Sequence, residues 1–391
     1  MKTDSSIRSS TLENMQLRVS VIVPTFNRAT YIEECIESLL SQTTPPFEII
    51  VVDDGSEDDT ATRLAAYGER IRYFYKTNGG KASAVNLGLT KARGDLIWFF
   101  DDDDVAMPDT IELRVATLRD NPDAGFAYAP HFIGYNNAEN RIERGPLHDT
   151  PNHNQDAFLS EILKGCFFHL ATALIRKEVF EETGGFDPQL IRAQDYDFQI
   201  RMARVATPAF CPSPSFIFRQ HDGIRGTKSH LHKSSERTDF FLKYDQVIGR
   251  KIRQCLGMGE YLVPRKKGEL TREELRTALF ARMVVMGSKG CIPEMLEDLS
   301  AALRSIPAAE RLTLEEQEKI ASAVHTGYTY PSYRVDREKY RSQIAMLPDC
   351  PSTPSAKRSL AKGFFRLSRF PRQPLRERLE NVKEAMLLLT I

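Results

Sequence analysis

Leu96-Ile97-Trp98-Phe99-Phe100 runs directly into Asp101-Asp102-Asp103-Asp104. Five consecutive large apolar residues read as a strand buried on both faces. The acidic run therefore starts at a fixed point of the fold. Four adjacent carboxylates repel one another, and keeping them together calls for protons or a cation. A hard divalent metal with oxygen ligands answers that demand. A plainer reading makes the four aspartates a solvated loop into the helix that Met107-Pro108-Asp109 opens, with Pro early in the helix and acid at its positive end. An EF-hand loop is excluded. Asp101, Asp103 and Glu112 fall at its first, third and twelfth places, but Val105 at the fifth has no side-chain oxygen and Ala106 stands where the turn needs glycine.

Upstream, strand and helix patterns alternate. Val19-Ser20-Val21-Ile22-Val23 is a largely β-branched run stopped by Pro24, and Thr30 with Glu33 makes a capping-box pair for a helix reaching about Gln42. Glu48-Ile49-Ile50-Val51-Val52 is a second buried strand, ending at Asp53-Asp54-Gly55-Ser56. A helix over 60–67, a strand over 71–75 and a helix over 81–91 follow. This alternation predicts an α/β fold, a mostly parallel sheet flanked by helices. Ligands of such sheets sit beyond the carboxyl ends of the strands. Pro24-Thr25-Phe26-Asn27-Arg28, Asp53-Asp54-Gly55-Ser56 and the aspartate run all converge there.

Downstream the pattern is mixed. Strands are predicted over 124–128 and 171–175, a polar, turn-rich stretch over 136–146 and a helix over 158–163. Gly184-Gly185-Phe186-Asp187 then precedes a helix carrying Asp195, Asp197 and Arg201. From about Thr238 the chain reads as helical. The expected organisation is a disordered lead-in over 1–16, an α/β domain over 17–237 and a helical extension over 238–391.

The 391 residues carry 53 basic and 53 acidic side chains, and that balance argues against a general nucleic-acid binder. Cys35, Cys166, Cys211, Cys255, Cys291 and Cys350 are scattered, which predicts reduced, mostly buried thiols and a cytoplasmic setting, not a zinc site or disulfide frame. No apolar stretch approaches the roughly 20 residues of a membrane span. The polar, Ser-rich stretch 1–16 lacks the apolar core of a signal peptide.

Taken in order, Val19-Ser-Val-Ile-Val-Pro-Thr-Phe-Asn-Arg28, Val51-Val-Asp-Asp-Gly-Ser56, Asn78-Gly-Gly-Lys81 and Gly94-Asp-Leu-Ile-Trp-Phe-Phe-Asp-Asp-Asp-Asp104 resemble the family 2 glycosyltransferases. Gly184-Gly-Phe-Asp187 and Gln194-Asp-Tyr-Asp197 continue the match, which covers about residues 17–225. The resemblance implies a GT-A fold, a nucleoside-diphosphate-sugar donor (a uridine one favoured), Mn2+ or Mg2+, and inversion at the anomeric carbon. It places the acidic DXD-type metal motif on Asp101 to Asp103, with Asp103 the main ligand and Asp101 or Asp102 facing the ribose. Asp54 matches the nucleobase contact. Pro24, Thr25 and Arg28 line the nucleotide pocket, Lys81 contacts phosphate or base, and Asp195 is the acceptor-activating base. His221, in Phe218-Arg-Gln-His221, matches a late metal or diphosphate position, although a lone loop histidine is often only surface.

The chemistry suits these roles. A metal stabilises the charge of a departing diphosphate, and a carboxylate takes the proton that makes an acceptor hydroxyl nucleophilic. Inversion needs base and leaving group on opposite faces, and the two acidic clusters lie about ninety residues apart. Without the resemblance, Asp195 would read as a helix cap and Asp197 with Arg201 as an exposed i, i+4 ion pair. With it, Asp197 becomes a supporting carboxylate. One departure stands out: Gln194 precedes the base where many relatives carry Glu.

Polymerising relatives carry Gln-x-x-Arg-Trp after the base, and the only tryptophan here is Trp98. Transfer of one sugar per encounter is therefore expected, to a saccharide or lipid-linked acceptor. Competing readings are a sugar-nucleotide nucleotidyltransferase, which the lack of glycine in Pro24-Thr-Phe-Asn-Arg28 disfavours, and a non-catalytic nucleotide-sugar-binding subunit. Residues 357–384 interleave nine basic residues with Phe364, Phe365, Leu367 and Phe370. The pattern suits peripheral contact with anionic lipid or a helix packing its aromatics inward, and Pro371 and Pro374 favour the second.

Overall fold

The computed structural model describes residues 17–221, 237–327, 329–369 and 375–390. The stretch 1–16, expected to be a disordered lead-in, lies outside them, as do Phe370, Pro371 and Pro374. The chain divides into two compact units, Met1–Asn152 with Phe167–Ser234, and His153–Cys166 with Ser235–Ile391.

The elements follow in order: β1 (Val19–Thr25), α1 (Ile32–Leu40), β2 (Glu48–Asp53), α2 (Thr60–Ala65), β3 (Arg72–Tyr75), α3 (Lys81–Lys91), β4 (Leu96–Phe99), β5 (Val105–Ala106), α4 (Thr110–Asp120) and β6 (Ala124–Tyr128). Then come β7 (His131–Asn136), β8 (Ile142–His148), α5 (Gln155–Lys164), β9 (Leu174–Arg176), α6 (Val179–Thr183), α7 (Gln194–Val205), β10 (Thr207–Phe210) and β11 (Phe216–Gln220).

Seven strands form one sheet in the order β10-β6-β9-β4-β1-β2-β3, and β5-β11-β7-β8 form a second. In the large sheet only β9 is antiparallel to its neighbours, β4 and β6. Val19-Ser20-Val21-Ile22-Val23 and Leu96-Ile97-Trp98-Phe99-Phe100 fill the centre because both faces are covered, and Leu96, Ile97, Trp98 and Phe100 are fully buried. Each such side chain contributes about 1.5–3 kcal/mol on burial. Helix α3 lies so close to β1 that a Cβ on Gly88 would stand 2.4 Å from Ile22 Cγ2. Register aligns the strand ends. Ile22 lies opposite Ile50 and Phe99, and Thr25 opposite Asp53, so the loops after β1, β2 and β4 leave the sheet together.

Four local expectations are corrected. Helix α1 begins after Tyr31 with no side-chain cap, because Glu33 turns outward to Arg63 and is lost to a capping box. The stretch 136–146 contains a hairpin of β7 and β8 around Asn140, whose φ is +61°. Its strands escaped notice because most of β8 is exposed and polar. Only Leu174–Arg176 is strand in the 171–175 region. Residues 170–172 form a helical turn, held by Trp98 Nε1 donating to Ala171 O at 2.7 Å and Arg114 Nη1 to Thr172 O at 2.6 Å. The thiols are less buried than expected: Cys35, Cys211 and Cys291 are buried, Cys350 is partly buried, and Cys166 and Cys255 are exposed.

The second unit is helical: α8 (Arg237–Cys255), α9 (Arg272–Ser288), α10 (Ile292–Ser305), α11 (Leu314–His325), α12 (Thr329–Val335), α13 (Arg337–Ala345), α14 (Thr353–Leu367) and α15 (Leu375–Leu388). Thr271 with Glu274 and Thr313 with Glu316 make reciprocal caps for α9 and α11. The α5 segment belongs to this unit, not to the α/β domain as the sequence suggested, because Phe158, Leu159, Ile162 and Leu163 form an apolar stripe that is buried there. On α14, Phe364 and Leu367 are buried and Phe365 is exposed, so one of its two aromatics packs inward. Among the described residues no helix is long and apolar enough to cross a membrane.

Candidate active site

The aspartate run leaves β4 at the carboxyl edge of the sheet, and the fold gives each carboxylate a different neighbour. Asp101 faces the Lys81 ammonium at 2.8 Å. Arg28 Nε lies 3.4 Å from Asp102 and 3.8 Å from Asp103. Asp103 Oδ2 also meets His221 Nε2 at 2.9 Å. Asp104 is fully buried, and its Oδ1 accepts from the Arg219 backbone N–H at 2.9 Å. Burial pushes the Asp102 carboxyl up to about 7; Asp103 and Asp101 add to the rise while Arg28 opposes it. Arg28 itself is raised: burial disfavours its charge, but Asp102 and Asp103 outweigh that.

Arg28 is positioned by its backbone. Asn27, at φ +52°, and the next two residues donate N–H groups to Ser56 Oγ, Thr60 Oγ1 and Asp58 Oδ2. The loop after β1 is thereby tied to the loop after β2. Pro24 and Thr25 are buried at the same edge, where the sequence placed the nucleotide pocket.

Lys81, at the start of α3, bridges the two acidic clusters, with its Nζ also 3.3 Å from Asp195 Oδ2. Burial works against the ammonium, yet Asp101 and Asp195 hold its pKa above the usual value. Asp195 sits in the first turn of α7, after Ala193 in a left-handed conformation. Its second oxygen, Oδ1, is enclosed and accepts no hydrogen bond among the described residues. Asp101, Lys81 and Asp195 line one small cleft with Phe99, Phe186 and His169.

Some residues depart from expectation. Asp54 was expected to meet a nucleobase, but it is buried and both its oxygens are engaged by the 76–80 loop. Oδ1 accepts from Lys76 Nζ at 2.6 Å and Gly79 N at 2.9 Å, Oδ2 from Gly80 N at 2.7 Å and Asn78 Nδ2 at 3.2 Å. It organises the loop that delivers Lys81. Gln194 folds back onto Leu190 O and does not stand in for a charge beside Asp195. Asp197 is buried, not exposed, and accepts from Arg201 Nε at 2.8 Å.

Two contributors were not singled out from sequence. His169 Nδ1 accepts from Ala171 N at 3.3 Å, which leaves the ring proton on Nε2; burial lowers its pKa, so the ring stays neutral. It follows two phenylalanines and carried no motif. Arg219 is fully buried. Its Nε donates to Asp103 O at 2.6 Å and its Nη atoms to Asn136 and Glu34. An arginine closing an apolar strand two residues before His221 was the available signal.

Comparison with known proteins bears on the family and the fold. The glycosyl transferase family 2 model matches residues 20–184. An uncharacterized glycosyltransferase of Rickettsia typhi is 34% identical over 220 residues, covering 56% of this chain and 68% of that protein. The chain spans little more than a third of other rickettsial relatives. The chondroitin synthase of Escherichia coli is 31% identical over 203 residues, 51% of this chain and 28% of that one. Among solved structures, S. aureus TarS 1-349 in complex with UDP-GlcNAc superposes with a TM-score of 0.52 at 19% identity, covering 83% of this chain and 92% of that one. That likeness concerns the fold, a GT-A type α/β sheet. With a rickettsial relative matched over two thirds of its length and the family model spanning the strands that bear the aspartates, the chain belongs to glycosyltransferase family 2.

Proposed function

We propose that this chain transfers a single sugar from a nucleoside-diphosphate sugar to an acceptor hydroxyl with inversion, Asp195 acting as general base. The observation that carries the reading is the enclosed Asp195 Oδ1, which has no donor among the described residues and sits in a cleft that Lys81 links to the aspartate run. An unsatisfied buried carboxylate oxygen is costly, and an acceptor O–H supplies the missing hydrogen bond and then its proton. Lys81 holds Oδ2 and so turns Oδ1 to the substrate. His169 Nε2–H offers a donor to a sugar oxygen in the same cleft.

On this reading the donor lies over Pro24, Thr25 and Arg28, with Asp101 and Asp102 on the ribose side, and Asp54 acts indirectly by shaping the 76–80 loop. UDP-GlcNAc, held by TarS, exemplifies the donor class. A divalent cation suits the donor set. A carboxylate oxygen of Asp103 and an imidazole nitrogen of His221 stand side by side and are donors such a cation accepts; among the described residues no third ligating group is assembled with them, so Asp101 would turn from Lys81 to join them. Asp103 and His221, with Asp101, would hold Mn2+ or Mg2+, which when bound supplies Lewis-acid stabilisation of the diphosphate. Trp98 is buried and bonded to Ala171 O, which supports release after one transfer.

A thermal-shift screen of nucleotide sugars with and without Mn2+ tests the reading. Stabilisation by one nucleoside diphosphate that grows with metal is expected. No stabilisation by any nucleoside diphosphate with metal would overturn it.

A further inference from the structure

Helix α15 turns its acids inward. Glu377 pairs with Arg334 at 2.7 Å, Glu380 with Arg337 at 2.7 Å, and Glu384 accepts from Arg341 Nε at 2.7 Å. Asn381, Glu384, Ala385 and Leu388 are buried on that side. The opposite face carries Leu375, Leu379, Val382, Met386 and, just past the helix, Leu389. Their 4-3-4-3 spacing lines up one stripe. Leu375 is 69% exposed, Leu379 61%, Met386 63% and Leu389 53%. Such a contiguous apolar surface marks an interaction site.

We propose that this stripe seats the second unit on an anionic lipid surface, with the aliphatic side chains at the acyl boundary and flanking basic groups at lipid phosphates. Charge decides between occupants. The same spacing suits a seam between two helices, but Arg376 and Lys383 border the stripe on one side and Arg378 on the other. A second copy would set like charges against each other along the seam. Of the acids from 375 to 390, Glu384 is buried and Glu377 and Glu380 face the inward arginines, Glu380 also meeting Arg376 at 3.4 Å, so the exposed face keeps a net positive charge toward an anionic surface. A bilayer also needs neither register nor a shaped groove, which suits flexible leucine and methionine side chains. On α14 Phe364 and Leu367 are packed inward and Phe365 alone is exposed among its aromatics, so α15 offers the longer apolar stripe.

The test is co-sedimentation of the full chain with vesicles of phosphatidylcholine alone or mixed with phosphatidylglycerol, at low and high salt. Binding to phosphatidylglycerol vesicles that weakens with salt is expected. Leu379→Glu with Met386→Glu, and separately Arg376→Glu with Lys383→Glu, should each lower partitioning at least about tenfold without shifting the melting temperature of these exposed sites. Failure of the wild type to bind at low salt, or unchanged binding by the Leu379/Met386 variant, would overturn the proposal. So would a dimer, seen by light scattering, that the same variant abolishes.

Discussion

Lys81 Nζ stands 3.3 Å from one oxygen of Asp195, and the other has no hydrogen-bond partner among the described residues. A carboxylate pinned on one side and open on the other is set up to receive a proton from a hydroxyl.

Asp195→Asn should therefore keep donor-dependent stabilisation and lower transfer by about a hundredfold to ten-thousandfold. Donor binding by thermal shift and product formation are measured on the same preparation. Retained transfer would force another base assignment.

Asp103→Asn and His221→Ala act farther along the aspartate run, where the two side chains meet. Both should weaken the metal-dependent part of nucleoside-diphosphate stabilisation and leave the metal-free part unchanged. A manganese titration of the melting temperature with UDP reads the two parts separately.

Arg219→Met strips a buried guanidinium from Glu34, Asn136 and Asp103 O. The partly buried carboxylate of Glu34 loses its main partner and the buried Asp103 carbonyl loses a donor, and a loss of about 2–4 kcal/mol is expected in denaturant unfolding. Arg219→Lys should recover only part of it, because an ammonium cannot replace a fork of three donors.

Lys289 in the second unit gives a pH signature. Burial lowers its ammonium to about 8, with Asp245 opposing the shift. The folded pKa lies below the ordinary 10.5, so between these values the unfolded chain binds more protons and stability rises with pH. The gain is on the order of 2–3 kcal/mol. It is lost as pH falls through about 8 and should be absent from Lys289→Met. Tyr261, whose hydroxyl burial pushes up, acts in the opposite sense near and above pH 10, so the comparison is between the two proteins at each pH.

The alternation of β-branched runs with helical segments was legible in the sequence, because a buried central strand must be apolar along its whole length. The hairpin over β7 and β8 was not, since exposed strands bear polar residues. The aspartates, Arg28, Asp195 and His221 stood out as candidates because charge at a strand end or helix start is conspicuous. His169 was missed because nothing local distinguishes it from a core histidine, and the hold of Asp54 on the 76–80 loop was not legible because its partners lie more than twenty residues away.

By itself, then, the sequence determined the α/β core and an acidic cluster at the end of its central strand, since both follow from local hydrophobicity and like-charge repulsion. Only the tertiary structure decided which aspartate serves which neighbour. Lys81 reaches Asp195 across 114 positions and Arg219 reaches Glu34 across 185. Such partners are chosen by strand order and register in the sheet, which bring distant segments to one edge.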